Sequence, residues 1–78
     1  MTHRFELSSG GHMTVSVTQQ GECINVREEI QFRLDGPRVV NCKVTCGSTG
    51  KSYSWTCADG KNCEGDCSDP NNPTGRCV

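Results

Sequence analysis

The number and spacing of the cysteines constrain the fold of this chain more than any other feature. Seven of its 78 residues are cysteine, and six of the seven lie between Cys42 and Cys77. A domain of this size buries too little apolar surface to be stable on its core alone. Cysteine at this density is typical of a disulfide scaffold or of a metal-binding domain. The sequence therefore predicts one small domain held together mainly by its cysteines.

Composition and charge exclude several classes of function. The net charge is −1 and the chain has no run of Lys or Arg, so binding to nucleic acid through phosphate neutralisation is not expected. No apolar segment reaches the length of a membrane span, which argues against membrane insertion. The first residues lack the apolar segment of a signal peptide. A secreted or periplasmic location would therefore need a signal that this sequence does not contain.

Alternation of apolar and polar residues predicts an all-β fold. No helical period persists, and a period of two is typical of strands with one buried face. The predicted strands are 13–18, 30–34, 38–46 and 52–57, and turns rich in Gly and Pro join the last three. We expect an antiparallel meander of four or five strands, or a small open barrel, with an irregular tail bound to it by disulfides.

The N-terminal residues 1–12 have two interpretations. Residues 8–13 are similar to a vector-encoded linker or tag, in which case a native domain would begin near Met13. Alternatively, residues 5–7 form a strand that turns at Gly10-Gly11 and pairs with residues 13–19. In both cases residues 13–78 form a single domain, with its sheet in 13–57 and its disulfide-bound tail in 58–78.

A strand register that collects apolar residues on one face gives the predicted pairing. It places Leu34 opposite Val40, and Val44 opposite Trp55. A slip of one residue would turn a strand over and move its apolar side chains to the other face. The inner face then contains Ile30, Phe32, Leu34, Val40, Cys42, Val44, Tyr53, Trp55 and Cys57. Either strand 13–18, through Val15 and Val17, or the tail is expected to cover this face.

Structural disulfides are the favoured role of the cysteines. Six cysteines allow 15 connectivities, and the register suggests only Cys42–Cys57 as a cross-strand bridge. Cys46, Cys63, Cys67 and Cys77 would then attach the tail to the sheet. Cys23 lies far from the others and is the expected free thiol; if it does pair, the odd cysteine is Cys63 or Cys67. Reduction should release the tail before the sheet melts.

Two metal sites are alternatives to a scaffold without cofactors. The tail cysteines Cys57, Cys63, Cys67 and Cys77 could hold zinc, although no Cys-x₂-Cys pair is present. Calcium prefers several oxygen ligands on a constrained loop. The tail carries such carboxylates in Asp59, Glu64, Asp66 and Asp69.

No catalytic motif is present, so we expect a binding module rather than an enzyme. A secreted effector, toxin, inhibitor or adhesion domain fits the composition, with an intracellular zinc domain and a calcium-dependent extracellular module as alternatives. Contacts would come from loop 47–51 and tail 58–76, since a cross-linked loop loses little entropy on binding. The candidate binding residues are Lys51, Tyr53, Trp55, Asp59 and Asp66. The expected partner is a protein or a glycan, and the chain is expected to be a monomer or a dimer linked through its odd cysteine.

Overall fold

The computed structural model describes all residues from Met1 to Val78 and consists of two antiparallel sheets. The larger sheet has the order β1-β2-β3-β4-β5, and β6 pairs with β7. The strands are β1 (Thr2–Glu6), β2 (His12–Gln20), β3 (Cys23–Gln31), β4 (Arg38–Cys46), β5 (Ser52–Cys57), β6 (Cys63–Asp66) and β7 (Thr74–Cys77). The prediction of a small all-β meander with a disulfide-bound tail is confirmed. The structure contains no helix that is long and apolar enough to cross a bilayer.

The N-terminal segment forms a hairpin with β2, as in the second interpretation, although its strand is Thr2–Glu6 rather than residues 5–7. Thr2 lies opposite Ser16 in this pair, and the Leu7 amide donates a hydrogen bond to the Gly11 carbonyl at 2.9 Å. A Cβ atom at Gly11 would lie 1.8 Å from the carbonyl oxygen of Gln31. Only glycine therefore lets this turn approach the end of β3 so closely.

Strand β3 begins and ends earlier than the predicted strand 30–34. It spans Cys23–Gln31, whereas Phe32 and Leu34 lie in the following turn with 58% and 81% of their surface exposed. The Gln31 side chain donates hydrogen bonds to the carbonyls of Leu34 (2.9 Å) and Gly36 (3.1 Å). These bonds stabilise a turn over residues 32–37, so the placement of Phe32 and Leu34 on the inner face was wrong.

The predicted strand pairing was also wrong, with different consequences at β3 and at β5. Ile30 pairs with Val39 rather than with Val44, so its side chain points away from the face that contains Val40, Cys42 and Val44. Val44 pairs with Tyr53 rather than with Trp55. This second error is a shift of two residues, which leaves every side chain of β5 on its predicted face.

One face of the five-stranded sheet is covered by residues 58–78, which we call the tail layer. Buried apolar side chains occur only at this interface. They are Val40, Cys42, Val44 and Cys46 of β4, together with Cys67 of the tail layer. Strand 13–18 does not share in this core, because Val15 and Val17 point to the opposite side.

The opposite face of the sheet, which we call the open face, is covered by nothing in the chain. Its apolar side chains are Phe5, Met13, Val15, Val17, Ile24, Val26, Ile30 and Val39. None of these residues is among the seven buried ones. The fold is therefore a two-layer structure over β3–β5 and a single sheet, apolar on one side, over β1 and β2.

Candidate functional site

Three disulfides join β4 and β5 to the tail layer. They are Cys42–Cys63, Cys46–Cys67 and Cys57–Cys77. The six paired cysteines are the six that were expected to pair, and Cys23 is free. Each bridge connects β4 or β5 to the tail layer, so the covalent links run between the two layers of the fold.

The predicted Cys42–Cys57 bridge was wrong. In the β4–β5 register Cys42 faces Trp55, and Cys57 faces Val40. The Cys42 and Cys57 sulfurs are only 3.5 Å apart, but both project towards the tail layer and bond to cysteines there. The two-residue shift in register removed the direct pairing on which the prediction depended.

Two glycines allow the tail layer to lie directly on the sheet. Gly65 and Gly75 face each other in the β6–β7 pair. A Cβ atom on Gly65 would lie 2.5 Å from Val44, and one on Gly75 would lie 2.2 Å from the Trp55 indole. Both distances are far below ordinary carbon contacts. The missing side chains therefore set the spacing between the layers.

Polar contacts orient the tail layer over β3. The Gly65 amide donates to Asn25 Oδ1 at 3.2 Å, and the Arg27 guanidinium donates to the Lys61 carbonyl at 3.2 Å. Arg27 also forms an ion pair with Glu29 at 2.8 Å. The hydrogen bond from Arg27 is the main cause of the lowered pKa of the Glu29 carboxyl, and the positive charge of Arg38 lowers this pKa further.

Loop 47–51, expected to contact a partner, is fixed on both sides by hydrogen bonds. The amide and hydroxyl of Ser48 donate to the Glu22 carboxylate, and these bonds lower the pKa of Glu22. The Thr49 hydroxyl donates to the Pro70 carbonyl at 2.6 Å. The loop is thus attached both to the β2–β3 turn and to the tail layer.

The predicted binding residues do not form one site. Tyr53 is 44% exposed and stacks on Trp55 with ring centroids 5.6 Å apart, but Gly75 covers the indole. Lys51 and Asp59 are exposed in separate turns. Asp66 accepts a hydrogen bond from the Ser68 amide at 2.8 Å, which is the main cause of its lowered pKa.

Metal-ligating atoms gather at one place in the structure. The sulfurs of Cys42, Cys57 and Cys63 lie within 4.8 Å of one another. Cys67, which the predicted zinc set included, is bonded to Cys46 instead. The tail carboxylates form no group of three with such spacing, so the arrangement gives the calcium alternative no support.

The open face carries two charged side chains beside its apolar surface. Glu28 of β3 lies opposite Asn41, and Lys43 of β4 lies opposite Val26. Neither Glu28 nor Lys43 has an ion-pair partner within the chain. Both line a shallow groove of about 360 Å³ that continues to β5.

Sequence reasoning missed the open face as a candidate site. The alternation in residues 13–18 was recognised, but Ile24, Val26 and Ile30 were not grouped with Val15 and Val17. A strand assignment for residues 23–31 would have collected them, because Gln20 and Cys23 flank a two-residue turn. No family model, curated protein or solved structure matches this chain, so its function must be argued from geometry.

Proposed function

We propose that this protein is a small, non-catalytic protein-interaction module of an oxidising compartment, either extracellular or periplasmic. The three disulfides support this location, because such bonds persist where thiols are not kept reduced. Each closes a loop with a sequence separation of 20 or 21 residues. In the chain-entropy treatment a loop of this length stabilises the fold by about 3 kcal/mol, which offsets the lack of a larger core.

The open face is the main observation in support of the interaction function. Exposed apolar patches beyond a few hundred Å² mark interaction sites in soluble proteins. β1–β5 present about 600 Å² of sheet at about 16 Å² per residue, and eight of the seventeen strand side chains on this face are apolar. The partner that fits is a protein surface that is itself apolar and carries one acidic and one basic group. A glycan fits less well, because the stacked Tyr53 and the covered Trp55 offer no free aromatic platform.

A matched pair of lysine substitutions tests the interaction role. Val15→Lys places a charge on the open face opposite Glu28, and Thr14→Lys places one on the other face opposite Glu29. Each new lysine thus faces a glutamate across the strand pair, which favours folding in both variants. Immobilised wild type and Thr14→Lys should retain the same protein from the extracellular fluid of the source, and Val15→Lys should lose it. Equal retention by both variants would contradict the proposal.

Zinc binding in a reducing compartment is a second candidate, supported by the sulfur cluster. Four thiolates around one zinc ion lie about 3.8 Å apart, given a Zn–S distance of about 2.3 Å. The Cys42 and Cys57 sulfurs are already 3.5 Å apart, and Cys63 and Cys77 are their disulfide partners. Reduction of both bridges would therefore leave four thiols in one place.

Cobalt titration of the reduced protein tests this candidate. A tetrathiolate site should give intense sulfur-to-cobalt absorption that zinc abolishes. Cys63→Ser should weaken this signal, whereas Cys67→Ser, in the remaining bridge, should leave it unchanged. An identical response of the two variants, or no absorption at all, would remove the zinc candidate.

A further inference from the structure

We propose that the partner of the open face is a second copy of this chain, which packs face to face to form a two-sheet sandwich. The inference rests on the proposed interaction function and names its partner. Stacked sheets pack about 10 Å apart with their inner side chains interdigitated. The tail layer already gives β3–β5 such a neighbour on one side, and a second copy would cover the other side.

The size of the open face matches what a specific dimer needs. Each copy would contribute about 600 Å² of sheet surface. Together the two faces would remove about 1,200 Å² from solvent, which is the lower end of the range for stable protein–protein interfaces. A smaller partner segment, such as one added strand, would leave most of the apolar side chains exposed.

The charges of the open face make it complementary to itself. A two-fold symmetric interface brings the same patch of both subunits together, so each charge needs its opposite within that patch. Glu28 and Lys43 are the only charged strand residues on this face. Lys43 is one strand across and two residues along from Glu28, a separation of about 8 Å. A two-fold axis midway between them places each carboxylate against the ammonium group of the other copy.

The same axis also places apolar side chains of the two copies against each other. In the grid given by the strand register, an axis in the plane of the sheet and perpendicular to the line from Glu28 to Lys43 passes close to Val17 and Val26. Each of these two side chains therefore lies against its own equivalent in the other copy. Pairing also satisfies Glu28, whose burial against an apolar surface would otherwise be unfavourable.

Charge reversal tests this symmetric arrangement. The chain should sediment at twice its 8.5 kDa, and it should still do so in Cys23→Ser, which removes the only thiol available to link two copies. E28K and K43E should each weaken the dimer at least tenfold, because each brings like charges together twice. A one-to-one mixture of E28K and K43E should restore a dimer, since every contact between positions 28 and 43 then joins opposite charges.

Three results would overturn the inference. They are a wild type that remains at 8.5 kDa at millimolar concentration, single variants that dimerise as tightly as wild type, and a mixture that stays monomeric although each variant keeps its three disulfides. A monomeric wild type removes only the second copy as partner. The interaction function would then be decided by the retention assay with Val15→Lys and Thr14→Lys.

Discussion

Replacing Gly75 by alanine tests whether direct contact between the tail layer and Trp55 holds the two layers together. The new Cβ would lie 2.2 Å from the indole carbons Cη2 and Cζ3 of Trp55. Carbon atoms in contact are normally about 3.5–4.0 Å apart, so the layers must separate by more than about 1 Å. The disulfide Cys57–Cys77 opposes this movement. Overpacking of this kind destabilises a domain by about 1–3 kcal/mol.

Thermal unfolding with the disulfides intact measures this effect. In a domain of this size each kcal/mol lowers Tm by about 4–8 °C, so Gly75→Ala should melt at least about 4 °C below wild type at the same protein concentration. Gly47→Ala is the matched control, because its Cβ meets nothing closer than the Glu22 carbonyl at 3.7 Å. Melting of both variants within about 2 °C of wild type would show that the layers are not in direct contact.

Three further predictions concern the tail layer and the charges beneath it. Reduction should free the tail layer first, so that trypsin cleaves after Lys61 and Arg76 while the amides of β2–β4 stay protected from hydrogen exchange; loss of both together would contradict this order. Asn25→Ala should lower the free energy of unfolding by about 1–3 kcal/mol in chemical denaturation, because the Gly65 amide loses its acceptor; an unchanged midpoint would contradict that role. The pKa of Glu29 is lowered in the fold from its ordinary value of 4.5, so its stabilisation is complete above pH 4.5 and is lost as pH falls through the lowered pKa. Glu29→Gln should therefore flatten the stability profile in acid, and a profile parallel to wild type would argue against the ion pairs.

Strands that end at proline or glycine turns could be predicted from the sequence. The strand that ends where a side chain bonds to the backbone could not. β4 and β5 have the predicted bounds, because Pro37 and the glycines of loop 47–51 end them. β3 was misplaced, because residues 30–34 alternate in the manner of a strand although the Gln31 side chain turns the backbone after it. Alternation does not report such side-chain-to-backbone bonds.

The error in register also explains why the candidate site was missed. A pattern of alternation gives the relative faces of residues within one strand, but the turn length decides which faces of neighbouring strands coincide. The two-residue turn after Gln20 places Cys23 opposite it, which directs Val15 and Val26 to the open face. Similarly, the sequence contained no sign that Gly65 and Gly75 would face Val44 and Trp55, because the tail has almost no apolar side chains whose alternation could be read.

The disulfide connectivity shows most directly whether the tail layer is bonded to β4 and β5. The protein should be isolated without reductant, alkylated, digested and analysed by mass spectrometry. We expect a single alkylated cysteine, Cys23, and an intact mass lower by about six hydrogens than that of the reduced chain. The expected linked pairs are Cys42–Cys63, Cys46–Cys67 and Cys57–Cys77. Seven alkylated cysteines, or a Cys42–Cys57 bridge, would contradict this connectivity, because the tail layer would then not be bonded to the sheet as described.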